Sequence, residues 1–464
     1  MFLRLTRWFL VVMARILHDD RGASATIVAI VLPSLIGFGA LGAETGAWFT
    51  IKLRNQSAAD AAAISAAYEV IAGKTNIINE LTSAASEAAV RNGYTGITPV
   101  VSYPYSDAVV DNGVAVTLQQ TQGALLATMF LSGVTVVNKA VAVIEALGNP
   151  CILALGRAST GVELAASTSL FMPNCSAVAN SIGSAAIELS SNSSITAATL
   201  VTAGEISVQG YPIDPAAPPP EFVLAASAMI GAPRVADPYA RALTHRYLTA
   251  GMPSPSPCRS TTTAGVTIYT SNCTVLGTSL TQSDIRLTSN TRILGDWSIL
   301  TSHTVDLSPG AYWITGNLSI QSRGALKCST CDNAKGSGVT IILTTNSNQI
   351  GAVSMAADSL LNLNAPNSGP FSGMVMIQDA NGLPPGTTYT AKHSSVTGAT
   401  LNGLVYFPNS SLTFHGNPSA TDPKCLLLVV NGLNVDANSS LDTGGCANAG
   451  LANIPTVSTV ALAE

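Results

Sequence analysis

A repeat within the first half of the chain is the feature that most constrains its fold. The segment "GVELAASTSLFMPNCSAVANS" from Gly161 aligns with "AIELSSNSSITAATLVTAGE" from Ala186 at an offset of 25 residues. Short β-rich units that return at a fixed spacing of about 20–50 residues are typical of solenoids, because one unit cannot bury its apolar face alone. We therefore expect stacked coils in which Val162 lies beside Ile187 and Leu170 beside Ile195.

The same pattern of short apolar runs and Asn, Ser or Gly turns resumes later, for example in "VDLSPGAYWITGNLSI" and "CLLLVVNGLNVDANSSLDTGGC". The sequence thus predicts a mainly β chain with a first solenoid part at 148–210 and a second at 258–464. Between them, residues 211–257 contain "YPIDPAAPPPEF" and are predicted as a proline-rich linker with a helical segment. A parallel β-helix-like solenoid fits best, and a β-sandwich is the alternative.

The cysteines indicate an oxidising compartment. All eight lie beyond residue 150 and fall into four neighbouring pairs, which predicts disulfides paired in sequential order. Unpaired thiols or a metal site are the alternatives, because Cys328 and Cys331 have the spacing of half a zinc site. No second such motif follows, and the five histidines lie far apart. The predicted pairs are Cys151 with Cys175, Cys258 with Cys273, Cys328 with Cys331, and Cys425 with Cys446.

The N-terminal region is predicted to hold the chain in a membrane. Residues 22–43 carry no charge, and as a helix they would span about 33 Å, enough to cross a hydrocarbon core of about 30 Å. Four arginines precede this run, so the positive-inside bias places residues 1–21 in the cytoplasm and the rest of the chain outside it. Residues 44–147 are then predicted to form a long alanine-rich helix with a small sheet.

The stretch "RGASATIVAIVLPSLIGFGALGAETGAWF", followed by "NQSAADAAAISAA", resembles the N-terminal segment of TadG-like proteins of the bacterial tight-adherence (Tad or Flp) pilus-assembly machinery. The matching anchor positions are Arg21, Gly22, Pro33 and Glu44. The resemblance implies a single-pass inner-membrane protein with a periplasmic bulk, a pilin-like helix on a sheet, and other pilus-assembly proteins as partners. Filament-forming relatives carry a glutamate at the fifth residue after their cleavage site, where this chain has Ile27.

The resemblance does not extend to a von Willebrand A-type metal site. The candidate loop for such a site, Asp306-Leu-Ser308-Pro-Gly310, lacks the last serine of the D-x-S-x-S pattern.

Charged residues make up only 10% of the chain, with a net charge of −5, and no basic block follows the N-terminus, so a nucleic-acid partner is not expected. Polysaccharide cleavage would need acids converging in a groove. The densest charged group that could supply them is Asp284, Arg286, Arg292 and Asp296, with His303 nearby.

No catalytic, cofactor-binding or metal-binding motif is present. We therefore expect a non-catalytic, membrane-anchored periplasmic component of Tad-type pilus assembly or surface adhesion. The alternative is a membrane-tethered β-helix that binds or cleaves surface polysaccharide.

Overall fold

The computed structural model describes residues 20–71, 77–107, 110, 113–124, 132–158, 160–165, 167–190, 192–215, 217–281, 284–332, 335–345, 350–356, 358–380, 382, 394–397, 399–415, 425–436, 439–440, 446, 450–451 and 457–463. The chain divides into two compact units. The first comprises residues 1–145 and 458–464, and the second comprises residues 146–457. The second unit is therefore an insertion in the sequence of the first, whose last strand is supplied by the C-terminus.

Among its described residues, the first unit has the helices α1 (Asp20–Ile71) and α2 (Ile77–Arg91). Its sheet has the order β1, β2, β3, β32, with strands β1 (Val100–Tyr105), β2 (Gly113–Gly123), β3 (Gly133–Gly148) and β32 (Val457–Leu462). The unit accordingly has the predicted long helix and small sheet. The short helix predicted over "GALLATMFLSG" falls largely on 125–131, outside the described residues.

Alanines form the packing surface of α1. Six of them are fully buried, and they recur three and four residues apart, so they share one face of the helix. Their small side chains let the helix approach α2 and the sheet closely, and the sheet contributes Val114, Val116 and Leu118 to the same core. The six alanines are Ala58, Ala59, Ala62, Ala63, Ala66 and Ala67.

The transmembrane helix predicted over 22–43 is not supported: among the described residues, no helix combines the length and the apolar character that crossing a membrane requires. Residues 22–43 form the first part of α1, which continues without interruption through the charged positions Glu44, Lys52 and Arg54. Residues 1–19 of the predicted cytoplasmic segment lie outside the described residues.

The second unit is a stack of coils, each built from short strands. The first three coils precede residue 225. Their strands are β4 (Pro150–Ala154), β5 (Val162–Leu164) and β6 (Ser169–Met172) in coil 1, β7 (Ser176–Ala179), β8 (Ile187–Leu189) and β9 (Ser194–Ala197) in coil 2, and β10 (Leu200–Thr202), β11 (Ile206–Val208), β12 (Tyr211–Pro212) and β13 (Phe222–Leu224) in coil 3.

A short helix, α3 (His245–Thr249), and the strands β14 (Ser260–Thr263) and β15 (Val266–Tyr269) lead into coils 4 to 7. The strands of these coils are β16 (Cys273–Leu276) and β17 (Asp284–Leu287), joined by a 3-10 turn (Gly277–Ser279), in coil 4; β18 (Thr291–Leu294), β19 (Trp297–Ile299) and β20 (Thr304–Leu307) in coil 5; β21 (Gly310–Ile314), β22 (Leu318–Ile320) and β23 (Ala325–Lys327) in coil 6; and β24 (Val339–Leu343), β25 (Val353–Met355) and β26 (Leu360–Asn364) in coil 7.

The last coils contain longer strands. Coil 8 has β27 (Met374–Gln378), β28 (Ser394–Thr397) and the beginning of β29 (Ala399–His415), coil 9 has the remainder of β29, and coil 10 has β30 (Leu426–Val435) and β31 (Ser439–Ser440). Strands at the same position of successive coils pair in parallel, so the coils present three faces. Face 1 begins each coil (as in β4, β18 and β24), face 2 follows (β5, β19, β25), and face 3 ends it (β6, β20, β26).

The parallel stacking favours the predicted solenoid over the sandwich, which would need antiparallel sheets. The repeat alignment also gives the correct register: Val162 pairs with Ile187, Leu164 with Leu189, and Leu170 with Ile195. Each coil contributes Val, Ile or Leu side chains to one continuous interior core.

The order of the coils in space differs from their order in the chain. Coil 10 stacks directly on coil 1, with Leu428 beside Ile152 and Leu433 beside Val162. The stack therefore runs from coil 4 through coil 10 and continues with coils 1 to 3. We call the junction between coils 10 and 1 the seam.

Residues 229–257, which we call the strap, connect coil 3 at one end of this stack to coil 4 at the other. The structure differs here from the predicted linker between two solenoid parts, because the strap lies on the outer side of face 1. Tyr239, Leu243 and Leu248 of the strap are buried against outward-pointing residues of face 1 such as Leu153 and Trp313. Face 1 is thus covered on both sides, which is why its strands are apolar runs such as "VTIIL" rather than alternating.

Polar contacts fix the strap along the stack. Asn180 of coil 2 forms two hydrogen bonds with the Val235 backbone, at 2.7 and 2.8 Å. The Tyr406 hydroxyl of coil 9 donates to Asp237 at 2.7 Å, and the Trp313 indole of coil 6 donates to the Leu248 carbonyl at 2.8 Å. Between Val235 and Asp237 the strap therefore crosses the seam.

Candidate functional site

The N-terminal half of α1 exposes a continuous set of large apolar side chains. Between Val28 and Leu53, nine of the described large apolar side chains are 44% to 75% exposed. Large contiguous apolar patches are rare on the surface of soluble monomers, and they usually mark a membrane or protein contact. We call residues 28–53 the apolar segment; its nine exposed side chains are Val28, Val31, Leu32, Leu35, Ile36, Phe38, Leu41, Phe49 and Leu53.

The predicted anchor residues all lie in α1. Arg21 and Gly22 are in its first turns, Pro33 is inside the helix and exposed, and Glu44 is only 6% exposed. The character of the helix changes immediately after the apolar segment. Asn55 is fully buried, and neither its amide nitrogen nor its amide oxygen has a hydrogen-bond partner among the described residues.

The motif "NQSAAD" is the point at which α1 meets the sheet. The Gln56 side chain accepts a hydrogen bond from Asn138 of β3 at 2.9 Å and donates one to Asp60 at 2.9 Å. The buried alanines follow directly. The residues that carry the family resemblance therefore form the transition between the apolar segment and the packed half of the helix.

The eight cysteines form four disulfides in the sequential order predicted. Cys151–Cys175 joins the beginnings of coils 1 and 2, and Cys258–Cys273 closes the end of the stack at coil 4. Cys328–Cys331 and Cys425–Cys446 are the other two. Because Cys328 and Cys331 are bonded to each other, neither offers the thiolate that zinc would need in this state. Among the described residues, no cluster of metal-ligating side chains is found.

The charged group of the second unit is split by the fold. Asp284, Arg286 and His303 come together on face 3, where Arg286 pairs with Asp306 at 3.2 Å and His303 lies 4.0 Å from Asp284. Arg292 lies on face 1, one rung from Trp313.

Asp296, in turn, accepts hydrogen bonds from the backbone and side chain of Asn317 at 2.7 and 2.9 Å. The five residues do not form one groove. The two face 3 acids are also engaged, since Asp284 accepts a hydrogen bond from the Thr304 backbone and Asp306 from the Ser329 backbone.

Sequence reasoning missed a histidine–carboxylate pair between the strap and coil 8. Nδ1 of His245 lies 2.5 Å from Oδ2 of Asp379, which is fully buried and also accepts a hydrogen bond from Thr344 at 2.9 Å. The two residues are 134 positions apart, so no local motif links them. The pair fixes α3 to face 1, and about half of the imidazole surface remains exposed.

Three buried tyrosines have a raised pKa, Tyr312 in the interior core and Tyr239 and Tyr406 between the strap and face 1. Burial raises the pKa of Tyr239, Tyr312 and Tyr406, and the nearby Asp237 carboxylate raises it further for Tyr239 and Tyr406. Each phenol therefore remains protonated and can act as a hydrogen-bond donor.

No protein-family model, no curated protein and no solved structure matches this chain. The functional argument therefore rests on the residues and their arrangement.

Proposed function

We propose that the chain is a non-catalytic scaffold or adhesion component of a bacterial Tad-type pilus-assembly system. In this proposal the apolar segment of α1 anchors the chain in the inner membrane, with the N-terminus cytoplasmic and the disulfide-bonded solenoid in the periplasm. The resemblance at Arg21, Gly22, Pro33, Glu44 and the "NQSAAD" motif supports the family.

The observation that carries this proposal is the division of α1 at Asn55. On the C-terminal side the helix packs through buried alanines, whereas on the N-terminal side nine large apolar side chains are exposed. Removing apolar surface from water stabilises by about 25 cal/mol per Å², so such a surface favours insertion into lipid. The absence of charge from residues 22–43 supports the same placement.

Fractionation of cells that express the full chain tests the anchor. We expect the wild type in the membrane fraction after a carbonate wash and its solenoid to be digested when protease is added to spheroplasts. The double variant Leu35→Glu/Ile36→Glu should shift to the soluble fraction. Val90→Glu changes a comparably exposed apolar residue of α2 and serves as the control. A soluble wild type would refute the anchor.

The pilus assignment needs a separate experiment. Deleting the gene in its source bacterium should abolish or reduce surface pili seen by electron microscopy, and the wild-type chain should restore them. Unchanged pilus number and unchanged surface attachment in the deletion strain would reject the assignment and leave the anchor intact.

A second candidate function is polysaccharide binding or cleavage on face 3. The observation that favours it is the outward column Arg286, Asp306 and Lys327 on successive coils, a regular array of charges. Cleavage should release reducing ends and should fail in Asp284→Asn. No release from a panel of neutral and acidic polysaccharides would exclude cleavage and leave binding to be tested.

A further inference from the structure

A shallow, open pocket lies at the coil 4 end of the stack, where the hairpin β14–β15 adds the last rungs of face 3. It has a volume of about 350 Å³ and is lined by one arginine, one tyrosine, one isoleucine and four hydroxyl side chains. This volume is at the lower end of the range of about 300–1,000 Å³ that is usual for small-ligand sites. We call it the end pocket.

The polar groups of the end pocket fall into two sets. Thr270 and Thr288 are occupied, since Thr270 accepts from the Arg259 backbone and Thr288 donates to the Tyr269 carbonyl. Among the described residues, no ion-pair or hydrogen-bond partner is found for the side chains of Arg259, Thr261 and Ser271. The free groups are thus one guanidinium and two hydroxyls.

The residues that line the end pocket include one positively charged side chain, Arg259, and no acid. The acid that the strand register places nearest, Asp284 beside Val266, already accepts the Thr304 backbone, and Asp306 pairs with Arg286. Burial raises the pKa of Tyr269, so its phenol stays neutral and does not repel an anion. A guanidinium recognises a carboxylate with two parallel hydrogen bonds.

We propose that the end pocket binds a carboxylate-bearing sugar unit of an acidic polysaccharide, with Arg259 on the carboxylate and Thr261 and Ser271 on the sugar hydroxyls. Ile268, which points outward beside Thr261 and Arg286, supplies the apolar wall for the face of the sugar ring. Arg286 lies one rung below Ile268, so the chain of sugars would continue along face 3. This inference deepens the second candidate function by naming its site and ligand, and it does not depend on the anchor or on pili.

Calorimetric titration of the purified full chain with oligogalacturonate tests the proposal, and the methyl-esterified oligomer is the matched neutral ligand. We expect binding of the acid only, weakened by added NaCl because the interaction is ionic. Arg259→Ala should weaken it at least tenfold, and Arg259→Lys should lose affinity although it keeps the charge. Arg157→Ala, an exposed arginine of coil 1, should bind as the wild type does.

Equal binding of the two oligomers, wild-type affinity in Arg259→Ala, or no binding by the wild type would each overturn the proposal. Circular dichroism and the melting temperature verify that the variants are folded. Ser271→Ala, which removes one hydroxyl from an exposed position, should lose affinity severalfold and serves if Arg259→Ala misfolds. Reducing-end release is a separate readout, so failure of binding and failure of cleavage are distinguishable.

Discussion

The contact between the strap and face 1 predicts a large effect for Leu248→Ala. Leu248 is fully buried among outward-facing residues of face 1, and truncating such a leucine costs about 2–5 kcal/mol through lost burial and the remaining cavity. We expect about 3 kcal/mol, because the strap can settle partly into the space. Leu276→Ala makes the same substitution in coil 4 at a side chain that is 54% exposed, and it should cost less than about 0.5 kcal/mol.

Urea unfolding followed by the fluorescence of the buried Trp297 and Trp313 measures the two variants against the wild type. Trypsin provides a local readout, since Arg234, Arg241 and Arg246 of the strap are exposed and should be cut faster only when the strap detaches. We expect Leu248→Ala to unfold at lower urea and to be cleaved faster at these sites. Equal stability and equal cleavage of the Leu248 and Leu276 variants would refute the argument that the strap stabilises the stack.

Three other predictions concern the buried tyrosines, two of the disulfides and the buried amide of Asn55. The pKa values of Tyr239, Tyr312 and Tyr406 are raised in the fold, so these residues stabilise the folded state fully below pH 10. As the pH rises above 10, the free energy of unfolding falls by up to about 1.4 kcal/mol per pH unit for each tyrosine. The stability of Tyr406→Phe should therefore fall less steeply with alkaline pH than that of the wild type. A disulfide that closes a longer loop restricts the unfolded chain more, so removing Cys151–Cys175, with a separation of 24, should lower the free energy of unfolding by about 3.5 kcal/mol. Removing Cys328–Cys331, with a separation of 3, should lower it by about 2 kcal/mol or less. Similar melting temperatures for the two double alanine variants would contradict this difference. The buried side-chain amide of Asn55 has no hydrogen-bond partner among the described residues, so Asn55→Leu should be at least as stable as the wild type in thermal unfolding. A loss of more than about 1 kcal/mol in the free energy of unfolding would contradict this and indicate that the amide forms a hydrogen bond.

The local register of the solenoid could be predicted from the sequence, but the order of its coils could not. The 25-residue repeat gives the pairing of Val162 with Ile187 because both belong to neighbouring coils. The pairing of Leu428 with Ile152 joins strands 276 positions apart, and nothing in either segment specifies the other. A signal of the strap was nevertheless present: runs such as "PCILA" and "LLLVV" are apolar on both sides, which indicates a second covering layer.

The candidate sites differ in the same way. The apolar segment and the "NQSAAD" transition are local features of one helix. Both could therefore be located from the sequence between Arg21 and Asp60 alone. The end pocket combines residues from the hairpin and the end of β17, and its single free guanidinium is evident only once Asp284 and Asp306 are seen to be engaged. The density of charged residues along the sequence pointed to Arg292 and Asp296 as well as Arg286. The fold separates them, because Arg292 lies on face 1 and Asp296 lies in the turn between β18 and β19, whereas Arg286 lies on face 3.

The chain enters and leaves the second unit at the seam. The chain enters the second unit at coil 1 and leaves it after coil 10, and these two coils are neighbours in the middle of the stack. Each end is therefore closed by a turn of the chain: β12 pairs antiparallel with β11 at the coil 3 end, and β14 pairs antiparallel with β15 at the coil 4 end. Such caps protect the exposed strand edges from pairing with another chain. The coil 4 cap also supplies Arg259 and Tyr269, so the same hairpin that ends the solenoid forms the end pocket.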